Sequence, residues 1–437
     1  EMCIRDRGNV KALLPIGVFL VLYLGLGVLF EYGMGIPMGF YNIPIVVIFL
    51  VALLVACVQN RKLPFDDKLA VMGRSIGDKT IVTMVLIFMV AGIFVGTVGR
   101  DSAESVAYLL LSVVPVQFAV AVLFVVSCFV SLSMGTSVGT ITLITPIAVA
   151  VSAASGFSLP LCVASVMGGA MFGDNLSFIS DTTIVATRTQ GCQMSDKFKV
   201  NIRIALPIAI LTGLIYVLVG SGVENAYAPA PIEWVKVIPY LVVLVTAVCG
   251  INVMLVLFMG IALSGIVGLW TGSFDIWGWN ASMGLGITNM GELIIVTLLA
   301  GGMLEMIRYN GGIDWIIRKL TSRIHSSKGA EMSIAALVSF ANLCTANNTI
   351  ALIMAGPIAK DIADRFKIDP RRSASLLDIF SCFVQGIIPY GAQMLMAAGL
   401  GHVSPIEIMQ YLYYPYLLGA GALLAIAFNY PRKYTVN

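Results

Sequence analysis

Two aspartates, Asp174 and Asp181, stand seven residues apart in the stretch Gly173-Asp-Asn-Leu-Ser-Phe-Ile-Ser-Asp-Thr-Thr183, which ends an apolar run beginning at Leu159. A charged Asp at the centre of a membrane-spanning helix costs about 2.5–3.5 kcal/mol on insertion scales. A chain bears that cost when the carboxylates have a partner, and their natural partners are a cation or a proton. Seven residues is two turns of one helical face if the helix is unbroken. If it unwinds near Ser177–Ser180, both carboxylates can converge on one cavity with Asn175, Ser177, Ser180 and Thr182. The alternative, Asp181 capping the next helical segment beside Thr182 and Thr183, leaves Asp174 unexplained.

Further candidates lie at two polar tips, each set between apolar arms. Met134-Gly-Thr-Ser-Val-Gly139 interrupts residues 116–154, and Cys344-Thr-Ala-Asn-Asn348 interrupts 330–360. Unwound tips present carbonyl, hydroxyl and amide oxygens, which suit a hard cation. The helix N-termini that follow could instead hold an anion. Thr136, Ser137 and Thr140 would complete the cavity of the two aspartates, with Na+ ligated by Asp174, Asp181, Ser177 and Thr136. Asn347, Asn348, Thr349, Asp378, Ser381, Gln385 and Gln393 would form a second, symmetry-related site. Pro389, Gly386 and Gly391 should break the helix between those two glutamines.

The elements that position these groups must be helices in lipid. The 437 residues are 59% hydrophobic and 11% charged, against about 25% charged in soluble domains. Apolar runs of 16–20 residues favour helices over barrel strands. They fall near 13–30, 43–58, 80–98, 159–187, 200–220, 237–250, 252–270, 291–307, 373–400 and 405–428. The expected fold is therefore all-α and membrane-integral, with about ten transmembrane helices and two re-entrant hairpins. On that count all of the 26 Lys and Arg residues except Arg100 and Lys236 lie on or beside one face, which the positive-inside rule makes cytoplasmic, termini included. Stretches 61–78 and 313–325 read as amphipathic surface helices. The eight cysteines form no C-x-x-C pair, the two histidines lie far apart, and no phosphate-binding G-x-x-x-x-G-K-[ST] occurs. No cofactor and no nucleic-acid partner is expected; the partners are the bilayer, small ions and, as one option, a second copy of the chain.

An internal repeat orders the landmarks. Thr136–Ile144 is echoed by Thr345–Ile353, each followed by Pro-Ile-Ala (Pro146–Ala148, Pro357–Ala359). Upstream, Ala91-Gly92 with Arg100 matches Ala300-Gly301 with Arg308. Downstream, Asp174-x-x-Ser177 matches Asp378-x-x-Ser381. Five crossings between equivalents give the halves opposite orientation, as in many secondary transporters. The organisation expected is one membrane transport domain, 1–437, with a peripheral N-terminal helix (13–42), a first repeat (43–222) and a second (252–428).

At Phe172-Gly-Asp-Asn-Leu-Ser177, Ile179-Ser-Asp-Thr-Thr183 and Gly135-Thr-Ser-Val-Gly-Thr140 the chain resembles the NhaC family of sodium/proton antiporters, over roughly residues 80–430. That family segment commonly carries a proline where Phe178 stands here. The resemblance implies a hairpin-plus-broken-helix fold, sodium coupling, no enzymatic activity and a bacterial inner-membrane location. It also admits exchange of malate for lactate, or carriage of amino acids. The expected activity is Na+/H+ exchange with Asp174 as the shared site; the rival is a Na+-coupled carrier of an organic anion or amino acid. An intramembrane aspartyl protease is disfavoured, because Met171 replaces the first glycine of its G-x-G-D pattern and no Tyr-Asp partner precedes it.

Overall fold

The computed structural model describes residues 8–35, 44–177, 180–221, 232–249, 251–321 and 326–431, and among these every regular element is helical. Among the described residues, nine helices are long and apolar enough to cross a membrane, and four shorter apolar ones accompany them. In chain order they begin with α1 (Leu14–Val28), α2 (Ile45–Gln59), α3 (Phe65–Ile76) and α4 (Lys79–Val113). One face of α1 is open, with Val21 71% exposed, while the other buries Phe19 against Phe49 of α2 and the edge of Tyr390. Helix α3 is the amphipathic piece expected within 61–78. It carries Asp66 and Asp67 in its first turn and Arg74 in its last, as the helix dipole favours. Helix α4 kinks at Gly99, whose φ of 74° a side chain would strain.

The first hairpin is α5 (Ala119–Met134) and α6 (Ser137–Ser155), followed by α7 (Leu159–Leu176), α8 (Asp181–Gln190) and α9 (Met194–Gly220). Helices α10 (Trp234–Val248) and α11 (Val253–Thr271) are separate, with Asn252 capping the second through the amide of Met254. Helix α12 (Ile276–Asn289) falls between the apolar runs at 252–270 and 291–307 and is not among the spans expected from sequence. Its packed positions are the small Gly286 and Ser282, while the large Trp277 and Leu285 are exposed, so no hydrophobic period marks it. Gly286 meets Gly92 and Ser282 meets Gly96 so closely that an added Cβ would lie 2.1–2.5 Å from a backbone oxygen. Helix α13 (Gly291–Tyr309) continues from it, and α14 (Gly312–Thr321) is the second amphipathic piece.

The second hairpin is α15 (Ser327–Thr345) and α16 (Asn348–Arg365), followed by α17 (Pro370–Ile387), α18 (Ala392–Gly401), α19 (Pro405–Met409) and α20 (Tyr413–Ala427). The two hairpin tips share one backbone pattern. A left-handed residue ends the first arm (Gly135, φ 67°; Ala346, φ 48°). An extended residue then caps the second arm with its own side chain (Thr136, φ −145°; Asn347, φ −147°). The α7–α8 and α17–α18 pairs are interrupted alike, Ser177 and Ile388 both leaving the helix in extended geometry.

Candidate functional site

The site forms where both tips meet the α7–α8 interruption. Small residues on α7 make the approach possible: a Cβ on Gly169 would lie 2.4 Å from the Phe124 carbonyl, and one on Gly173 2.3 Å from the Cβ of Ser131. Ser131 fastens the contact by donating to the Ala170 carbonyl at 2.7 Å. The last turn of α7 then delivers Asp174, 4% exposed, to the tips. Its Oδ2 accepts from Ser137 Oγ at 2.9 Å and from Asn348 Nδ2 at 3.4 Å, and its Oδ1 from Thr182 Oγ1 at 3.3 Å. Each tip thus supplies the first residue of its second arm to one carboxylate. Among the described residues no Lys or Arg forms an ion pair with it.

A relay of amides reaches this carboxylate from the second broken helix. Gln385 Nε2 donates to the Ala346 carbonyl (3.1 Å) and to Gln393 Oε1 (2.6 Å). Gln393 Nε2 donates to Ser137 Oγ at 3.0 Å, and Ser137 donates onward to Asp174. The hairpin tip and both sides of the α17–α18 interruption therefore connect to Asp174 through neutral donors.

Asp378, fully buried on α17, is held differently. Its Oδ2 accepts from Asn175 Nδ2 and Asn201 Nδ2, both at 2.9 Å, and pairs with Lys197 Nζ at 2.7 Å. Lys197 is 1% exposed, and its ammonium also donates to the Asn175 carbonyl at 2.7 Å and to Thr183 Oγ1. Three oxygens satisfy its three donors. By sequence Lys197 falls with the cations on or beside the basic face. Helix α9 instead begins at Met194, so Lys197 and Asn201 fall one turn apart on its inner face. That i, i+4 pair of polar residues at the head of an apolar helix was the available signal.

Several expected assignments change. Asp181 is exposed in the first turn of α8 and stays outside the cluster, because Ser180, not Asp181, caps that helix through the amide of Thr183. Ser180 also donates to the Asp174 carbonyl, and Thr183 to that of Ser177, which ties the interruption closed. Thr136 and Asn347 cap their own helices, and Thr140 donates back to the Thr136 carbonyl. Thr349 donates its amide to Asn348 Oδ1, and Ser381 donates its hydroxyl to the Asp378 carbonyl. Asn348 and Asp378, expected in a separate second site, join the Asp174 cluster instead.

The register between the halves changes as well. Ser131 and Asn342 each donate to a carbonyl 39 residues further on, Ala170 and Ser381. Gln385 lies the same 39 residues beyond the tip residue Ala346. By this spacing Gln385, not Asp378, stands as far beyond its tip as Asp174 does beyond Gly135. The Pro-Ile-Ala landmarks keep this register, since Pro146 and Pro357 sit equally far from their tips.

Comparison with known proteins agrees with the sequence resemblance. The model of the Na+/H+ antiporter family matches residues 45–221 and 228–430. The malate-2H(+)/Na(+)-lactate antiporter of Bacillus subtilis is 23% identical, covering 97% of this chain and 95% of its own. The Na(+)/H(+) antiporter NhaC of Alkalihalophilus pseudofirmus is 24% identical, covering 89% and 90%. The solved Alcanivorax borkumensis YdaH transporter superposes over 81% of this chain and 88% of its own, with a TM-score of 0.40 at 15% identity. With its apolar helices and a family match along nearly its whole length, the chain is an integral membrane protein belonging to the Na+/H+ antiporter family.

Proposed function

We propose that this protein is a secondary transporter that exchanges cytoplasmic Na+ for external H+, with Asp174 binding the two in turn. One observation carries the reading: of two buried carboxylates, Asp378 is paired with Lys197, whereas among the described residues Asp174 has hydroxyl and amide donors and no ion pair. A carboxylate among neutral donors can lose its proton to water and take a cation in its place. Ser137, Thr182 and Asn348 would turn their oxygens toward that cation, with carbonyls at the interruption completing a hard-oxygen shell. Lys197 would keep Asp378 fixed in charge, so that binding changes at one carboxylate only. The halves would form an inverted repeat with re-entrant tips, and one unit rocking past the other would expose Asp174 alternately to each side. The basic face, with both termini, would lie in the cytoplasm of a bacterial inner membrane.

A pH-sensitive dye inside proteoliposomes tests this. Na+ pulses should move protons in the wild type, with Li+ and K+ pulses reading the ion preference, and Asp174→Asn should abolish the Na+ response while retaining its elution profile and melting temperature. An undiminished response in the variant would remove Asp174 from the role. The second reading is exchange of an organic anion, favoured by the Bacillus subtilis relative, which covers almost the entire chain. Labelled malate or lactate uptake that depends on Na+, in the absence of any Na+-evoked proton movement, would select it.

A further inference from the structure

Away from the Asp174 cluster, a groove of about 840 Å³ opens between the N-terminal segment and α2. Its wall is aliphatic: Leu14, Leu54 and Val58 line it and are 53–62% exposed. Its mouth is polar and basic. Lys11 and Arg61 lie there, both exposed, together with Gln59. The Gln59 amide donates to the Lys11 carbonyl, an acceptor only, which fixes its orientation. Its Oε1 is buried and, among the described residues, has no hydrogen-bond partner. A buried acceptor left without a donor is destabilising, so a donor that reaches it is favoured.

The mouth belongs to the basic face of the molecule. The backbone N–H of Asn9 donates to the Gly311 carbonyl, just before amphipathic α14 with Arg318 and Lys319 in its last turn. The groove therefore runs from the level of the positively charged helix ends into the apolar zone. A molecule that fills it needs a hydrocarbon chain, a negative charge at one end, and a hydroxyl or amine donor beside that charge.

We propose that this groove is a binding site for an anionic phospholipid with a hydroxylated headgroup, of the phosphatidylglycerol type. The acyl chain lies along Leu14, Leu54 and Val58, Lys11 and Arg61 hold the phosphate, and a headgroup hydroxyl donates to Gln59 Oε1. A neutral lipid satisfies the wall but not the two cations. A second copy of the chain could cover the wall, but it would bring the same basic mouth toward its own.

The test is competition of phosphatidylglycerol against phosphatidylcholine for the purified full-length protein, read by native mass spectrometry and by thermal unfolding in mixed micelles. Each basic residue near an anionic headgroup contributes about 1 kcal/mol, so the wild type should prefer phosphatidylglycerol by roughly tenfold or more. Lys11→Gln with Arg61→Gln should bring the preference to within about twofold. Gln59→Leu should spare the preference over phosphatidylcholine but erase any preference over phosphatidic acid, which lacks the glycerol hydroxyls. Equal retention of both lipids by the wild type, an unchanged preference in the double variant, or a groove covered by a lipid-independent dimer would each overturn the proposal.

Discussion

At the scale of single residues, the two buried aspartates divide the work by what surrounds them. Breaking a buried ion pair by removing one partner typically costs about 3–5 kcal/mol, because the survivor is left charged and uncompensated. Lys197→Met or Asp378→Asn alone should therefore lower the melting temperature markedly, and the double variant should recover most of it. Single variants as stable as the double one would show that the pair is not held as a charged unit. Asp174→Asn, which removes no paired charge, should be tolerated by the fold. Because Na+ can bind only the ionised carboxylate, apparent Na+ affinity should fall about tenfold per pH unit once Asp174 is mostly protonated. A Na+ titration of the dye response across pH measures this, and a pH-independent affinity would contradict the exchange. The sequence exposed Asp174 clearly, as a charge in an oily run. It hid Lys197, because a lysine just outside an apolar segment looks like any interfacial cation until the helix start is known. It also misled on Asp181, since serine and aspartate both cap helices and only the backbone path decides between them.

At the scale of elements, the site depends on how closely the helices approach. Gly173→Ala should push α7 away from Ser131 and Leu132 of α5, at a cost of about 1–3 kcal/mol for overpacking, and should lower transport with it. Gly213, on α9 with nothing within 4 Å of its Cβ position, is the control: Gly213→Ala should leave stability unchanged or slightly raised. Equal melting temperatures for the two variants would refute the close-packing argument. The start of α17 offers a pH test outside the apolar spans. Asp369 caps that helix; partial burial raises its carboxyl, but the hydrogen bonds and charge of Arg371 outweigh this and hold it below its usual value. A depressed carboxylate stabilises the fold above its unfolded value, near 3.9, and the contribution fades as pH falls below that. Asp369→Asn should therefore melt earlier than wild type at pH 7, with the gap closing below about pH 4. Broken helices were legible because Gly, Pro and hydroxyl residues interrupt apolar runs, and the interruptions fall at Ser177 and Ile388 as expected. The repeat register was not, because Asp-x-x-Ser is a common string, whereas the 39-residue hydrogen-bond spacing exists only in three dimensions.

At the scale of the whole molecule, the proposal makes charge distribution the determinant of orientation and one side-chain difference between the halves the determinant of what is exchanged. If the basic face is cytoplasmic, a cysteine placed at Ser273, in the turn after α11, should react with a membrane-impermeant maleimide in intact cells. One at Ser326, before α15, should react only after lysis. The reverse pattern would invert the topology. Composition sufficed to read an all-helical membrane chain, but α12 escaped because glycine carries no hydrophobic signal. The register that places Gln385 opposite Asp174 has a further result. With an uncharged amide in one half and Asp378 paired with Lys197, a single ionisable oxygen pair would alternate its cargo under the proposed exchange. One Na+ would leave for each H+ that enters, so a turn of the cycle would displace no net charge. A potassium diffusion potential set with valinomycin should then leave the exchange rate unchanged in either polarity.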